Sequence, residues 1–275
     1  MPDIAIGHAG DPRVALYRGV AEPTLVGAAG RFIAEGRLVV RRLLESARLE
    51  VESVFVTPTA RSALADLIET ERPDLPVFVA PPAVLSEVAG FNIHRGCLAL
   101  GRRPAPVQLE AVVPCGEASA LLLALDGVSS ADNVGGLFRC ARAFGVDAVV
   151  VGPGCVDPFY RKAVRTSMGG VFEVPFVQAA DLSATLVGLL EAGVDVVGLS
   201  PDGEAAGPCR ERGGASPTRL VLVVGHEGRG LAASTRAVAT SVVRVPMAPR
   251  ADSLNVVAAA AIVLSQVASA MGRTL

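Results

Sequence analysis

Three stretches of the 275-residue chain gather side chains that can do chemistry, with glycines baring the backbone beside two of them. They are Asp126-Gly127-Val128-Ser129-Ser130-Ala131-Asp132-Asn133, Gly225-His226-Glu227-Gly228-Arg229-Gly230 and Pro246-Met247-Ala248-Pro249-Arg250-Ala251-Asp252-Ser253-Leu254-Asn255. In the second, Glu227 sits among three glycines. Bare backbone N–H groups favour an anion but the carboxylate repels one, so a cationic or neutral polar ligand fits better. In the first, Asn133 is placed to cap a helix that carries Arg139. Six residues at about 100° each leave the two about 120° apart around that helix, so Arg139 must use its length to reach the loop. In the third, Ser253 and Asn255 open an alanine-rich run, with Ser253 or Asp252 as its N-cap. Each feature also has a plain structural use: a tight glycine turn with Glu227 capping the next helix, a solvated arginine, an ordinary cap. Phosphate and dinucleotide cradles lose their main support, because the chain holds no G-x-x-x-x-G-K-[ST] and no G-x-G-x-x-G joining a first strand to a helix.

The elements that must hold these loops are legible as apolar runs. Residues 121–125, 148–151, 194–199, 220–224 and 241–245 are Val/Leu-rich without polar alternation, the pattern of strands buried on both faces of a mainly parallel sheet. Helical spacing lies between them: Val134, Leu137, Phe138 and Ala141, then 182–192, 231–238 and a long alanine-rich run over about 253–270. In such a sheet the three loops converge at the carboxyl ends of the strands, where ligands bind. Ahead of this lies a smaller α/β unit after an irregular start. Strands are expected at 31–34, 53–57, 77–80 and 96–100, and helices at 37–46, from Pro58 to about 70, and from Pro82. The Pro- and Arg-rich stretch 101–106 reads as a linker, giving domains 1–106 and 107–275.

Composition bounds the function. The longest apolar run, 256–264, falls far short of the ~20 residues that span a bilayer, and the start lacks a signal-peptide pattern, so a cytoplasmic protein is expected. Cys97, Cys115, Cys140, Cys155 and Cys209 are odd in number, scattered and without His at ligand spacing, which points to reduced thiols and no metal. A net charge of −2 excludes a global basic field, so any nucleic-acid contact must be local. Residues 1–110 hold 12 Arg against 13 Asp plus Glu, leaving patches such as Arg37, Arg41, Arg42 and Arg102-Arg103. With only 4% aromatics, a base-stacking platform is disfavoured and structured RNA read by shape and backbone is the better match.

In this order the three loops resemble the motifs of the SpoU (TrmH) family of RNA ribose 2′-O-methyltransferases, of the SPOUT class. The matching segments are Asn133-Val134-Gly135-Gly136-Leu137-Phe138-Arg139 with Ala143-Phe144-Gly145, then Gly225 to Leu231, then Val245-Pro246-Met247 with Ser253-Leu254-Asn255-Val256. Between them, Lys162-Ala163-Val164-Arg165-Thr166-Ser167-Met168-Gly169-Gly170-Val171-Phe172 with Pro175 is similar to the family's linking segment. The likeness covers about 109–275 and continues more loosely through Phe32-Ile33-Ala34-Glu35-Gly36. One departure is Val257, where the family often has Ser.

The resemblance implies an α/β fold whose C-terminal parallel sheet carries a deep trefoil knot, preceded by a small α/β RNA-binding domain. It implies S-adenosyl-L-methionine as cofactor, held by Gly225, Val245 and Leu254. It places Arg139 at the centre of catalysis, supported by Asn133, Glu227, Ser253 and Asn255. It further implies structured RNA as partner, rRNA favoured over tRNA, and a homodimer through the C-terminal helix. Stripping a guanidinium of its proton at neutral pH costs on the order of 7–9 kcal/mol. A charged Arg139 that orients phosphate and steadies a developing alkoxide is therefore the favoured role over general base. Two other readings stand beside this one: a non-catalytic RNA-binding or ribosome-assembly protein keeping the fold, and a small-molecule enzyme using Glu227 as acid or base.

Overall fold

The computed structural model describes residues 3–18, 24–90, 93, 96–113, 116, 118–204, 218–248 and 253–273. Cys115, Cys209 and the loop residues Pro249 to Asp252 lie outside them. Contacts divide the chain into two units, residues 1–105 with 158–173, and 106–157 with 174–275.

The first unit is built on a mixed five-stranded sheet. In chain order it runs β1 (Ile4–Ala5), β2 (Arg31–Glu35), α1 (Arg37–Glu45), β3 (Val51–Val56), α2 (Pro58–Ser62), α3 (Ala65–Thr70), β4 (Val77–Val79), α4 (Pro82–Ala89) and β5 (Cys97–Arg102). The strand order is β1-β4-β3-β5-β2, with β5 antiparallel to both its neighbours. The start is not irregular as expected: β1 pairs with β4, and Val14 and Tyr17 are buried beside Phe55 and Leu85. Two residues are too few to show a strand period. The helix expected from Pro58 to about 70 is two helices, broken at Leu64, whose backbone leaves the helical region. Gly101 and Arg102, read as linker, belong to β5. Gly101 faces Phe32 across the ladder, and a Cβ there would lie 2.4 Å from the ring, so this glycine serves close approach.

The second unit carries β6 (Ala120–Asp126), α5 (Ala131–Ala143) and β7 (Ala148–Val151). After β7 the chain contributes α6 (Arg161–Thr166) and α7 (Gly170–Glu173) to the first unit, then returns as β8 (Phe176–Gln178), α8 (Leu182–Glu191), β9 (Asp195–Glu204), β10 (Arg219–Gly225), α9 (Ala233–Val238), β11 (Ser241–Val243) and α10 (Val256–Ala270). The six strands are all parallel in the order β11-β9-β10-β6-β7-β8. Leu121, Leu122, Leu123 and Val221 to Val224 are fully buried, which is why these runs lack polar alternation.

The α6–α7 segment closes the first unit's core. Phe159 and Phe172 lie with ring centroids 4.7 and 5.6 Å from Phe32. Arg42 donates to the Met168 carbonyl, and Arg48 donates to the Glu173 carbonyl at 2.9 Å. Met168 has φ 53°, a left-handed backbone that the Arg42 contact pins. The expected basic patch is thereby largely spent within the fold. Arg41 grips Asp66 at 2.9 and 3.0 Å, Arg102 pairs with Glu50 and Glu52 at 3.1 and 2.9 Å, and Arg103 stacks over Phe159. Arg37 makes no hydrogen bond or ion pair with any described residue.

In the second unit α10 packs on α5 through Gly136, where a Cβ would lie 2.8 Å from Val257. The valine that departs from the family pattern fills the space this glycine leaves. The other end of α10 is tied by Arg273, which donates to both Asp147 oxygens at 3.0 and 2.6 Å, while Asp147 also accepts from the Leu121 N–H at 2.8 Å. Asp147→Ala strips one carboxylate from two donors, so it should lower unfolding stability by about 1.5–3 kcal/mol. Urea denaturation would show a shifted midpoint with unchanged slope; a shift under about 0.5 kcal/mol would mean the tie is only a surface contact.

Candidate active site

Gly225 and Asp126 are register partners at the carboxyl ends of β10 and β6, so the loops that follow them emerge side by side. After Asp126 the chain turns at Gly127, φ +70°, and enters α5 with Ser130 as N-cap, its hydroxyl accepting from the Asn133 N–H at 3.4 Å. Ser130 therefore takes the capping role expected of Asn133. The Asn133 amide is left free to reach across, and its Nδ2 donates to Glu227 Oε1 at 2.8 Å.

The loop after β10 folds back on itself. His226 N–H donates to the Gly230 carbonyl at 3.0 Å and Gly230 N–H to the His226 carbonyl at 2.8 Å, with Gly230 at φ +69°. A Cβ on Gly225 would lie 2.3–2.5 Å from the backbone of Gly230 and Leu231. The far end of the loop is fixed by Asp126, which accepts from the Ala232 N–H at 2.7 Å. Glu227 does not cap the helix that follows it. Its Oε1 accepts from the Ser130 N–H at 3.3 Å, at the start of α5 instead. Favourable N-terminal donors explain that choice, since an anion belongs at a helix start.

The third loop ends at Asn255, which is the N-cap of α10 and accepts from the Val257 N–H at 2.8 Å. Ser253, expected as the cap, is exposed on the cavity wall instead, and Asp252 lies outside the described residues. Asn255 Nδ2 donates to Asn133 Oδ1 at 3.0 Å. Three bonds thus run in one direction, Val257 N–H to Asn255, Asn255 to Asn133, and Asn133 to Glu227. Each donor polarises the next, and the chain terminates on a carboxylate. Burial pushes the Glu227 carboxyl up, but the Asn133 amide and the loop N–H groups outweigh it and hold the group below its ordinary range. A depressed carboxyl stabilises the folded loop above the unfolded value and loses that effect as pH falls through the folded one. Wild type and Glu227→Gln should therefore differ in loop stability near neutrality and converge only in acid, below the ordinary carboxylate range, readable by amide exchange of Ser130 and Asn133. Convergence already at pH 6 would contradict the assigned hydrogen bonds.

A cavity of about 690 Å³ opens between the second and third loops and the end of β9. Gly225, Val245 and Leu254 line it, as do Glu227, Ser253 and Asn255. Asn133 is joined to that wall by its bonds to Glu227 and Asn255. Arg139 lies outside the wall, exposed on α5, and no described residue pairs with its guanidinium. Several residues were not expected. Asp202 and Arg236 form an ion pair at 2.8 Å on the wall, where Arg236 and the Ser200 hydroxyl hold the Asp202 carboxyl down to about 2. They come from an extension of β9 past its apolar run and from a helix face, neither marked in the sequence. His226 and Asp126 lay within the loops already singled out, and only their partners reveal them. Among the described residues no His, Cys, Asp or Glu cluster could hold a metal ion, and no helix is long and apolar enough to cross a membrane.

A parallel α/β sheet with two polar loops lining one cavity at its carboxyl edge, and a third hydrogen-bonded to them, is the architecture of a small-ligand site. Residues 120–265 match the SpoU rRNA Methylase family. An uncharacterized tRNA/rRNA methyltransferase of Mycobacterium bovis is 38% identical over 256 residues, 92% of this chain and 87% of its own. A solved RNA 2′-O ribose methyltransferase superposes with TM-score 0.76 at 28% identity, over 97% of this chain and 99% of that one. The SpoU methyltransferase AviRb from Streptomyces viridochromogenes, in complex with the cofactor AdoMet, shares the fold with TM-score 0.75 at 22% identity, over 94% and 97%. The chain belongs to the SpoU family and is an RNA methyltransferase.

Proposed function

We propose that this enzyme transfers a methyl group from S-adenosyl-L-methionine to a ribose 2′-hydroxyl of structured RNA, ribosomal RNA in preference to transfer RNA. The observation that carries this reading is the hydrogen-bonded chain from α10 through Asn255 and Asn133 to Glu227, set at the rim of the cavity. The family description and the AdoMet complex of AviRb support the cofactor and the rRNA. The cavity fits the cofactor: 690 Å³ lies within the ~300–1,000 Å³ of small-molecule sites, Gly225 lines it, and the Glu227 carboxylate, which pairs with no described guanidinium, suits a cationic ligand.

S-adenosylmethionine, when bound, supplies an electrophilic methyl group on a sulfonium. Backbone groups around Gly225, Val245 and Leu254 are the proposed holders of its adenosine. Asn255 and Asn133 fix the Glu227 carboxylate against the start of α5, and Ser253 extends the same wall. A carboxyl held below its ordinary range is a poor general acid at neutral pH, which weighs against a small-molecule enzyme using Glu227 as its acid. Arg139 remains charged, orients the RNA phosphate and steadies the 2′-oxygen as it releases its proton to solvent water and accepts the methyl group.

The first unit is proposed to bind the RNA, and a homodimer is proposed to form through the outer face of α10, where Ala258 and Ile262 stay exposed. The return of the chain from β11, at one edge of the sheet, to α10 on α5 is where the trefoil knot is inferred to close. The cytoplasm is the proposed location. Transfer of labelled methyl from S-adenosylmethionine to unmodified ribosomal and transfer RNA pools, followed by digestion to nucleosides, tests the reading. A 2′-O-methylnucleoside from ribosomal RNA is expected. Cofactor binding with no transfer to any RNA pool, assembly intermediates included, would favour an RNA-binding protein retaining the fold.

A further inference from the structure

His226 stands between two of the loops and has no part in the mechanism above. Its Nδ1 lies 2.9 Å from the Gly228 nitrogen and 3.3 Å from that of Arg229. Backbone N–H groups only donate, so Nδ1 accepts from both and carries no hydrogen. The ring proton of the neutral imidazole is then on Nε2, 3.4 Å from Ser129 Oγ. Ser129 Oγ is in turn 3.5 Å from Glu227 Oε2. Donors and acceptors match along this line: Nε2–H to Ser129, and the Ser129 hydroxyl to the second oxygen of Glu227. One carboxylate is therefore held from two sides, through Asn133 at Oε1 and through His226 and Ser129 at Oε2.

We propose that His226 is a positioning residue for methyl transfer, its Nδ1 closing the Gly225–Gly230 loop under the cofactor cavity and its Nε2–H orienting Glu227 through Ser129. The proposal rests on the reading of this cavity as the S-adenosylmethionine site. Its two nitrogens have separable jobs. Asn at this position places Oδ1 where Nδ1 stands and lacks the second arm. Gln reaches toward the Nε2 position and lacks the loop acceptor.

The test uses the full chain with His226→Ala, His226→Asn and His226→Gln. Imidazole ¹⁵N–¹H correlation spectra of the ligand-free protein, assigned with His226→Asn, should show a neutral ring protonated at Nε2. Calorimetry should show the S-adenosylmethionine Kd raised about tenfold by Ala, the effect of losing one to two hydrogen bonds, and still raised in Gln. Asn should bring it back to within about threefold of wild type. Ser129→Ala should leave the Kd near wild type and lower kcat. A proton on Nδ1, native affinity in Ala, or Asn as weak as Ala would each overturn the proposal. If Ala fails to fold, the contrast of Asn with Gln decides. If the wild-type protein does not bind S-adenosylmethionine, the functional reading falls. The tautomer, and retention of native Gly228 and Arg229 amide shifts in Asn but not Gln, then decide the role of His226 alone.

Discussion

Arg139→Ala is expected to reduce methyl transfer to RNA by a factor on the order of 10²–10³, the usual loss when one group that stabilises developing charge is removed. The rest of the protein should hardly notice. Arg139 is exposed, no described residue pairs with it, and it is absent from the cavity wall, so stability should stay within about 0.5 kcal/mol and cofactor affinity within about twofold. Single-turnover transfer and S-adenosylmethionine calorimetry on the same preparation separate these effects. Arg139→Lys keeps a charge but loses the planar fork that grips phosphate at two points, and is expected to recover only part of the rate. Full activity in lysine would sink the bidentate role, and full activity in alanine would remove Arg139 from the chemistry.

The second large effect is at Gly225. An alanine Cβ would stand 2.3–2.5 Å from the carbonyl carbon and oxygen of Gly230 and from the Leu231 nitrogen, all backbone atoms. Nothing there can swing aside, because the loop is closed by paired His226–Gly230 hydrogen bonds and by Asp126 at Ala232. The loop must open by an ångström or so, and misplacement on that scale costs about 10²-fold in function. Gly225→Ala should therefore weaken S-adenosylmethionine binding by about 100-fold, with about 1–3 kcal/mol lost in stability from the overpacked turn. Gly228→Ala meets nothing closer than 3.8 Å and should cost far less. Equal affinity for the cofactor in Gly225→Ala and wild type would show that this loop does not shape the site.

How much of this was legible depended on range. Continuous apolar runs such as 121–125 and 220–224 announce strands, because each residue reports its own burial. Phe176–Gln178 breaks its apolar run with a polar residue after two positions, unlike Val77–Val79 of the same length, and Ile4–Ala5 is shorter still, so neither stands out as a strand. The loops were found because glycines and polar side chains cluster there. Their wiring was not, since Ser130, Asn133, Ser253 and Asn255 are all competent caps and only the fold selects among them. The partners of Glu227 lie 94 to 98 residues away in the chain, and those of Asn133 and Asn255 122 apart, beyond any local rule. Charge misled in a similar way: Arg41 and Arg102 look like a surface patch until Asp66, Glu50 and Glu52 arrive beside them.

The discontinuity of the first unit sets an order of events during synthesis. Phe32 has no exposed surface in the finished protein, and two of the rings that cover it, Phe159 and Phe172, are encoded well over a hundred residues later. At about 5–20 residues per second, a nascent chain leaves that aromatic face uncovered for on the order of 6–25 s. A ribosome-bound chain halted near residue 110 should therefore attract hydrophobic-sensing chaperones that release it once residue 173 has emerged. The same gap makes a fragment ending at residue 105 a poor substitute for the first unit, since it would carry the sheet without the α6–α7 segment that covers it.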